Sequence, residues 1–128
     1  MNDVLEQIRW NEHGLVAAIA QDYSSKEVLM QAWMNQAALE QTIASGTAVY
    51  WSRSRQQLWV KGEQSGHTQI VHSLRLDCDG DAILLSVEQL GGIACHTGRR
   101  NCFYRVYNQG AWQIDAEVIR EPGEIYKK

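Results

Sequence analysis

The sequence lacks the features that mark nucleic-acid-binding and membrane proteins. Its 12 lysines and arginines are outnumbered by 15 aspartates and glutamates, which gives a formal net charge of −3. Because a general nucleic-acid binder needs a dominant positive field, this balance argues against that class. No apolar run approaches the roughly 20 residues of a membrane span, and the N-terminus lacks the apolar core of a signal peptide. We therefore expect a cytoplasmic protein with no membrane and no nucleic-acid partner.

Cysteine and proline are scarce as well. The three cysteines, an odd number, suit reduced thiols or metal ligands better than a disulfide framework. The single proline and the 45% of hydrophobic residues fit an ordinary globular chain. We expect one domain over residues 1–128, with a loosely held tail at about 121–128. No phosphate-loop or dinucleotide-binding fingerprint is present, so nothing favours ATP or NAD as a ligand.

The order of apolar and turn residues predicts a mainly β domain of the α+β class. Short apolar or alternating runs indicate strands at 14–20, 47–51 and 58–61, and a last hairpin that turns at 108–110. We therefore predict a compact β-sandwich or pseudo-barrel of antiparallel strands.

A helical pair is predicted near the N-terminus. Ser24 and Glu27 have the spacing of a capping box ahead of a helix over 25–34. A second helix is predicted over 35–45, with Gly46 as its stop.

The stretch Asp77-Cys78-Asp79-Gly80-Asp81 holds three carboxylates and a thiol within five positions. Asp79-Gly80 between two apolar runs predicts a two-residue hairpin turn, but a turn does not require three acids and a cysteine. Carboxylate oxygens suit Mg²⁺ or Mn²⁺, whereas a thiolate suits Zn²⁺. If the incoming strand stays extended, Asp77 and Asp79 share one face and Cys78 lies on the other.

The other two cysteines, Cys95 and Cys102, are separated by six residues, wider than the cysteine pairs of structural zinc sites. With Cys78 they would supply three thiolates, which leaves zinc's fourth position open for water unless a histidine fills it. An open position held by water is typical of a catalytic zinc, which lowers the pKa of the bound water towards about 7. The adjacent His96 is a candidate base, but a fourth ligand or an ordinary loop residue fits it as well. Cys95 and Cys102 could equally be small buried apolar residues.

Basic side chains collect near these motifs. In an acidic protein, such clusters beside glycine and serine suit phosphate, because arginine can bind a phosphate with two parallel hydrogen bonds. A solvated surface is the commoner origin of such charges. The candidates are Arg53, Arg55, Lys61, Arg99 and Arg100.

Four stretches taken together resemble the phosphoribosyl-AMP cyclohydrolase family of histidine biosynthesis. They are 51–55 (WSRSR), 59–67 (WVKGEQSGH), 77–81 (DCDGD) and 95–103 (CHTGRRNCF). The resemblance extends from about Leu15 to about Tyr107, with the motifs in the right order. In many bacteria this enzyme is fused to a phosphoribosyl-ATP pyrophosphohydrolase domain. This chain is expected to be too short to hold one, so the resemblance implies the cyclohydrolase step alone.

The resemblance implies a reaction and a substrate. The family hydrolyses the N1–C6 bond of the adenine ring in phosphoribosyl-AMP, and our hypothesis is attack at C6 by zinc-activated water. His96 would act as general base, or as the acid towards the departing nitrogen. The two phosphate monoesters of the substrate explain the five basic residues. Together with Glu63 and His67 from the same motifs, these are the candidate substrate-binding residues.

The resemblance also implies two metals and a homodimer. In the family, a cysteine of one subunit completes the zinc site of the other, so that dimerisation would be a condition of activity. The residues that match the zinc ligands are Cys78, Cys95 and Cys102, and those that match the magnesium ligands are Asp77, Asp79 and Asp81.

Two other classes compete with this interpretation. One is a non-catalytic zinc module that binds RNA or protein; the acidic charge and the missing fourth cysteine weigh against it. The other is a zinc nucleobase deaminase, which needs H-x-E and P-C-x-x-C motifs that this chain lacks.

Overall fold

The structure is a computed structural model that describes residues 2–125. This part of the chain is mainly β, as predicted. Its strands are β1 (Val16–Asp22), β2 (Val28–Met34), β3 (Val49–Ser52), β4 (Gln57–Val60), β5 (Gln69–Leu76), β6 (Ala82–Gln89), β7 (Arg105–Asn108) and β8 (Ala111–Ile114). Its helices are α1 (Asn2–Glu6), α2 (Gln36–Ser45) and α3 (Pro122–Ile125).

The largest sheet has four strands in the order β2-β1-β6-β5. β1 pairs with β2, and β5 with β6, in the antiparallel sense, but β1 and β6 run parallel. The prediction of antiparallel strands is therefore wrong for the pair β1 and β6, and it is confirmed for the pairs β1–β2, β3–β4, β5–β6 and β7–β8. A parallel pair needs a long connection, and here β2, α2 and the β3–β4 ribbon lie between the two strands in sequence.

Only the second of the two predicted helices forms. α2 begins after Asn35, whose side-chain oxygen accepts the backbone N–H of Ala38 at 2.9 Å. It ends at Gly46, which adopts the left-handed conformation and donates its N–H to the Thr42 carbonyl at 2.9 Å. Both ends of α2 are thus determined by residues next to it in sequence.

The helix predicted over 25–34 is wrong, because most of this segment forms the edge strand β2. Pairing with β1 buries Leu29, Met30 and Met34 in the core. The acid that suggested a capping box, Glu27, instead contacts a distant part of the chain. Tertiary packing therefore outweighs the local helix signal.

The core lies between the four-stranded sheet and a second layer made of α2 and the β3–β4 ribbon. Tyr50 of β3 is fully buried, and its hydroxyl donates to the side-chain oxygen of Gln69 at 2.7 Å. Gln69 in turn donates to Gln89 at 2.8 Å, which joins β3 to β5 and β6. These satisfied polar groups fix the ribbon against the sheet.

The last hairpin forms as predicted, but it has little packing. Gln109 and Gly110 occupy its two-residue turn with φ values of 49° and 81°. All eight residues of β7 and β8 are exposed, Tyr107 by 65% and Trp112 by 70%. An isolated two-stranded hairpin is marginally stable at best. An exposed apolar surface of this kind is also unusual for a monomer.

The C-terminal segment is described up to Ile125. In the tail that was predicted to be loosely held, α3 forms and buries Ile125, while 126–128 lie outside the described residues. No helix between residues 2 and 125 is long and apolar enough to cross a membrane.

Candidate active site

Cys95 and Cys102 lie together in the segment that follows β6, here called the thiol loop (residues 94–102). The backbone N–H of Cys95 donates to the Arg99 carbonyl at 3.1 Å, so that the loop turns back on itself. The N–H of Cys102 donates to the carbonyl of Leu29 in β2 at 2.7 Å. Cys95 is buried, whereas Cys102 is exposed as a residue. The loop is thus held at the end of the sheet where β2 begins.

Lys61 is the buried cation beside these two thiols. Only 6% of the residue is exposed, and its ammonium donates to the Ala94 carbonyl at 2.5 Å. Burial lowers the pKa of Lys61, although both thiols act in the opposite direction. The pKa of Cys102 is raised to about 12, because its thiol is desolvated and lies beside Cys95, and Lys61 offsets part of this rise. Lys61 favours the thiolate form of Cys102, but desolvation and the neighbouring Cys95 outweigh it, so this thiol is protonated near neutral pH.

Arg100 joins the thiol loop to the turn between β1 and β2. Its Nε donates to a Glu27 oxygen at 2.7 Å, and its two terminal nitrogens lie 3.3 Å from the Gly92 carbonyl and 3.5 Å from Asp22. Asn101 donates to the second oxygen of Glu27 at 2.6 Å. Because three in-chain partners occupy its guanidinium, Arg100 holds the loop, and a phosphate would compete with two carboxylates for it.

At Gly98 the thiol loop contacts the C-terminal segment, the residues 115–125 that follow β8. Its φ is +87°, and a Cβ at this position would overlap the carbonyl of Arg120. The Gly98 carbonyl accepts the N–H of Ile119 at 2.8 Å. Any larger residue would therefore separate the two segments.

The β5–β6 hairpin is confirmed, but its turn differs from the predicted one. β5 ends before Asp77, and Gly80 donates its N–H to the Asp77 carbonyl at 3.1 Å, so Cys78 and Asp79 are the central residues. The carbonyl of Gly80 accepts the N–H of Arg9 at 2.7 Å. Since β5 does not extend to Asp79, strand alternation does not determine where the aspartates point.

The five residues 77–81, here called the acidic turn, carry three exposed carboxylates. Asp77 accepts the backbone N–H of Asp81 at 3.0 Å. Desolvation acts to raise the pKa of Asp77, but hydrogen bonds from Asp81 and its neighbours lower it overall. The hydrogen bond and charge of Asp77 raise the pKa of Asp81. Such oxygens suit a hard cation, yet between residues 2 and 125 no three Cys, His, Asp or Glu side chains converge on a metal position.

The acidic turn and the thiol loop lie at opposite corners of the four-stranded sheet. Two strand spacings of about 4.8 Å separate β2 from β6, and Leu29 and Ala82 differ by about four residues of 3.3 Å along the strands. Cys78 is therefore on the order of 15 Å from Cys102, whereas sulfurs on one zinc lie within about 4.6 Å of each other. One chain by itself brings together two of the three predicted zinc ligands.

The predicted histidines differ in burial. His96 is exposed in the thiol loop, next to Cys95. His67 is buried, with its ring packed where a side chain at Gly91 would lie. Burial and the positive charges of Lys61 and Arg120 lower its pKa, so His67 is neutral at pH 7. The sequence predicted His96 as the candidate acid or base, and it did not indicate that His67 lies near Lys61.

The remaining candidate substrate-binding residues are Arg53, Arg55, Glu63 and Arg99. Arg53 is exposed and lies over the ring of Trp33, with its guanidinium carbon 5.1 Å from the ring centroid. Arg99 lies over the ring of Tyr104 at 4.2 Å. Arg55 and Glu63 are exposed in loops.

Three residues were not predicted from the sequence to belong to the site. They are Asp22 and Glu27, which hold Arg100, and Trp33, which contacts Arg53. Glu27 and Arg100 are 73 positions apart, and no sequence signal connects them.

The fold and this geometry define a small, mainly β protein with a candidate metal site built on paired thiols. A sequence model of the phosphoribosyl-AMP cyclohydrolase family matches residues 30–104, which include the thiol loop and the acidic turn. A phosphoribosyl-AMP cyclohydrolase of Azotobacter vinelandii is 58% identical over 127 residues, 99% of this chain and 96% of that protein. One of Pseudomonas putida is 60% identical over 126 residues, 98% of this chain and 97% of that protein.

The match covers nearly the whole length of both chains at high identity. The chain belongs to the phosphoribosyl-AMP cyclohydrolase family.

Proposed function

We propose that the chain hydrolyses the N1–C6 bond of the adenine ring in phosphoribosyl-AMP, a step of histidine biosynthesis. The relatives carry this activity in their names. The observation that carries the proposal is the pair of thiols, Cys95 and Cys102, next to the buried ammonium of Lys61. Two adjacent thiols are suited to hold a metal that activates water, and they release their protons when the metal binds.

Zinc is the metal that we propose for the thiol loop. Thiolates are its preferred ligands, and Cys95 and Cys102 would supply two of them, with Cys78 of a second copy as the third. When bound, zinc would make hydroxide available from water near neutral pH. Lys61 would stabilise the two thiolates. His96, exposed beside Cys95, would accept the proton of the attacking water or donate one to the departing nitrogen.

A homodimer is part of this proposal. The separation between Cys78 and the thiol loop supports it, because a second copy can bring its own acidic turn to the loop when the same chain cannot. The exposed β7–β8 hairpin, which begins three residues after Cys102, supplies an apolar surface for such a contact.

We also propose that the acidic turn binds magnesium, because a second copy would bring its three aspartates close to the thiol loop. When a second copy places Cys78 at the thiol loop, Asp77, Asp79 and Asp81 come with it. A hard cation on their oxygens would lie close to the substrate and could orient a phosphate or another polar group. The three free thiols suit a reducing compartment, so we place the protein in the cytoplasm.

Turnover of phosphoribosyl-AMP, followed by ultraviolet absorbance with and without a zinc chelator, tests this function. We expect ring opening that the chelator abolishes and added zinc restores. No turnover by a dimer supplied with zinc and magnesium would contradict the proposal and favour a non-catalytic zinc module.

The role of His96 is tested by His96→Ala, with His13→Ala as the matched control because His13 is exposed and remote in sequence from the motifs. We expect the His96 variant to keep its zinc and to lose most of its turnover. Full activity of this variant would exclude His96 as the acid or base.

A further inference from the structure

A cleft of about 500 Å³ lies between β2, β3, β4 and the β3–β4 connection and has no assigned function. Three indole rings line it, each from a different strand: Trp33 from β2, Trp51 from β3 and Trp59 from β4. Its polar residues come from the end of β3 and from the β3–β4 connection, and they are Ser52, Arg53 and Ser54. A volume of this size is typical of small-molecule sites.

Trp59 connects this cleft with the thiols. Its ring centroid lies 5.3 Å from the ammonium of Lys61, which is the cation beside Cys95 and Cys102. One indole therefore separates the cleft from the groups that we propose to act on the adenine ring. A ligand whose reacting atoms lie at the thiols would reach the cleft by passing over Trp59.

The guanidinium of Arg53 is available to bind an anion. Among residues 2–125 it makes no ion pair with a carboxylate, in contrast to Arg100, which contacts both Glu27 and Asp22. The stacking of Arg53 on Trp33 orients the planar guanidinium and leaves its N–H groups available. The hydroxyls of Ser52 and Ser54, 3.4 Å apart, are further donors next to it.

We propose that this cleft, here called the tryptophan cleft, binds one of the two phosphoribosyl arms of the substrate, with its phosphate on Arg53. This rests on the proposed function. The adenine ring cannot itself occupy the cleft, because its C6 atom must lie at the thiol loop. The arm that extends from the ring then places a sugar against the indoles and a phosphate at the arginine. The contrast with Arg100 assigns phosphate binding here to Arg53.

The test compares Arg53→Gln with Arg75→Gln, a matched control because Arg75 is also exposed but lies on β5, away from the cleft. For Arg53→Gln we expect the KM for phosphoribosyl-AMP to rise at least tenfold while kcat changes much less. Arg53→Lys should recover only part of this loss, because lysine lacks the planar pair of donors. An unchanged KM in Arg53→Gln, or an equal rise in Arg75→Gln, would overturn the proposal.

Binding of ribose 5-phosphate, followed by tryptophan fluorescence, provides a readout that is independent of turnover. We expect it to change the fluorescence of the wild type and to bind at least tenfold more weakly to Arg53→Gln. If the wild type does not turn over phosphoribosyl-AMP, the proposed function fails, and this titration still decides whether the cleft binds a phosphorylated sugar. Equal binding by the wild type and Arg53→Gln would contradict the assignment of the cleft.

Discussion

The thiol loop and the acidic turn both carry side chains of the types that ligate metals, yet they are built in opposite ways. The thiol loop is tied to the rest of the chain by contacts from β2, from the β1–β2 turn and from the C-terminal segment. The acidic turn is an exposed hairpin tip whose carboxylate and backbone hydrogen bonds are largely within 77–82. The thiol loop is held by three other segments, whereas the acidic turn has exposed carboxylates and is anchored at Gly80 by the N–H of Arg9.

This difference teaches how one site can be divided between two copies. A fixed loop can hold two ligands and a buried lysine in place before any metal arrives. A turn whose side chains are exposed can present its ligands to a neighbouring molecule.

The largest effect on turnover is expected when a cysteine is removed from either the thiol loop or the acidic turn. Cys102→Ser and Cys78→Ser should each lower turnover at least 100-fold, because a catalytic zinc with a missing ligand is held weakly. Zinc content measured after gel filtration should fall in both variants. If Cys78→Ser keeps full zinc and activity, the acidic turn does not contribute to the metal site.

The next largest effect is expected from Lys61, the buried cation that contacts the thiol loop. Lys61→Met should lower turnover and zinc affinity by about 10- to 100-fold, the range typical of groups that support metal ligands. The control is Lys26→Met, which removes an exposed lysine from the β1–β2 turn. Equal activity of the two variants would show that Lys61 only fills space.

A smaller effect is expected from the carboxylate that anchors the thiol loop. Glu27→Gln weakens the contacts to Arg100 and Asn101, and it should lower the free energy of unfolding by about 1 kcal/mol, since the partners are about one-third exposed. The control is Glu124→Gln, which removes a more exposed ion pair with Arg120 and should change stability by less than about 0.5 kcal/mol. Urea unfolding compares both with the wild type.

The smallest effect is confined to acid pH. The N–H of Ser25 is the main cause that lowers the pKa of Asp22 below 3.8, and the Ser25 hydroxyl, the Ser24 N–H and Arg100 add to it against desolvation. A lowered folded-state pKa stabilises the fold above 3.8, and this contribution is lost as the pH falls through the lower value. The stability difference between wild type and Asp22→Asn should therefore be constant near neutral pH and shrink below pH 3.8. A difference that does not depend on pH would contradict this.

The sequence predicted features that depend on neighbouring residues. The ends of α2 follow from Asn35 and Gly46, and the last hairpin follows from its turn residues, because caps and turns are local interactions. The four motifs were sufficient to identify the family.

The features that the sequence did not predict depend on distant residues. Glu27 looked like a helix cap, but its partners Arg100 and Asn101 are 73 and 74 positions away. The parallel pairing of β1 with β6 and the tryptophan cleft likewise arise only when remote strands pack together. Spacing in sequence also did not show that Cys78 lies at a different corner from the thiol loop.

The most direct test of a site divided between two copies is complementation between inactive variants. Cys78→Ser and Cys95→Ser are mixed, dissociated and reassociated, and turnover of phosphoribosyl-AMP is measured. In a mixed dimer one site regains all three thiols, so random pairing should restore about a quarter of the wild-type activity. Mixing Cys95→Ser with Cys102→Ser should restore nothing, because every site then lacks a thiol of the loop. Absence of recovery in the first mixture, with mixed dimers shown to form, would contradict the shared site.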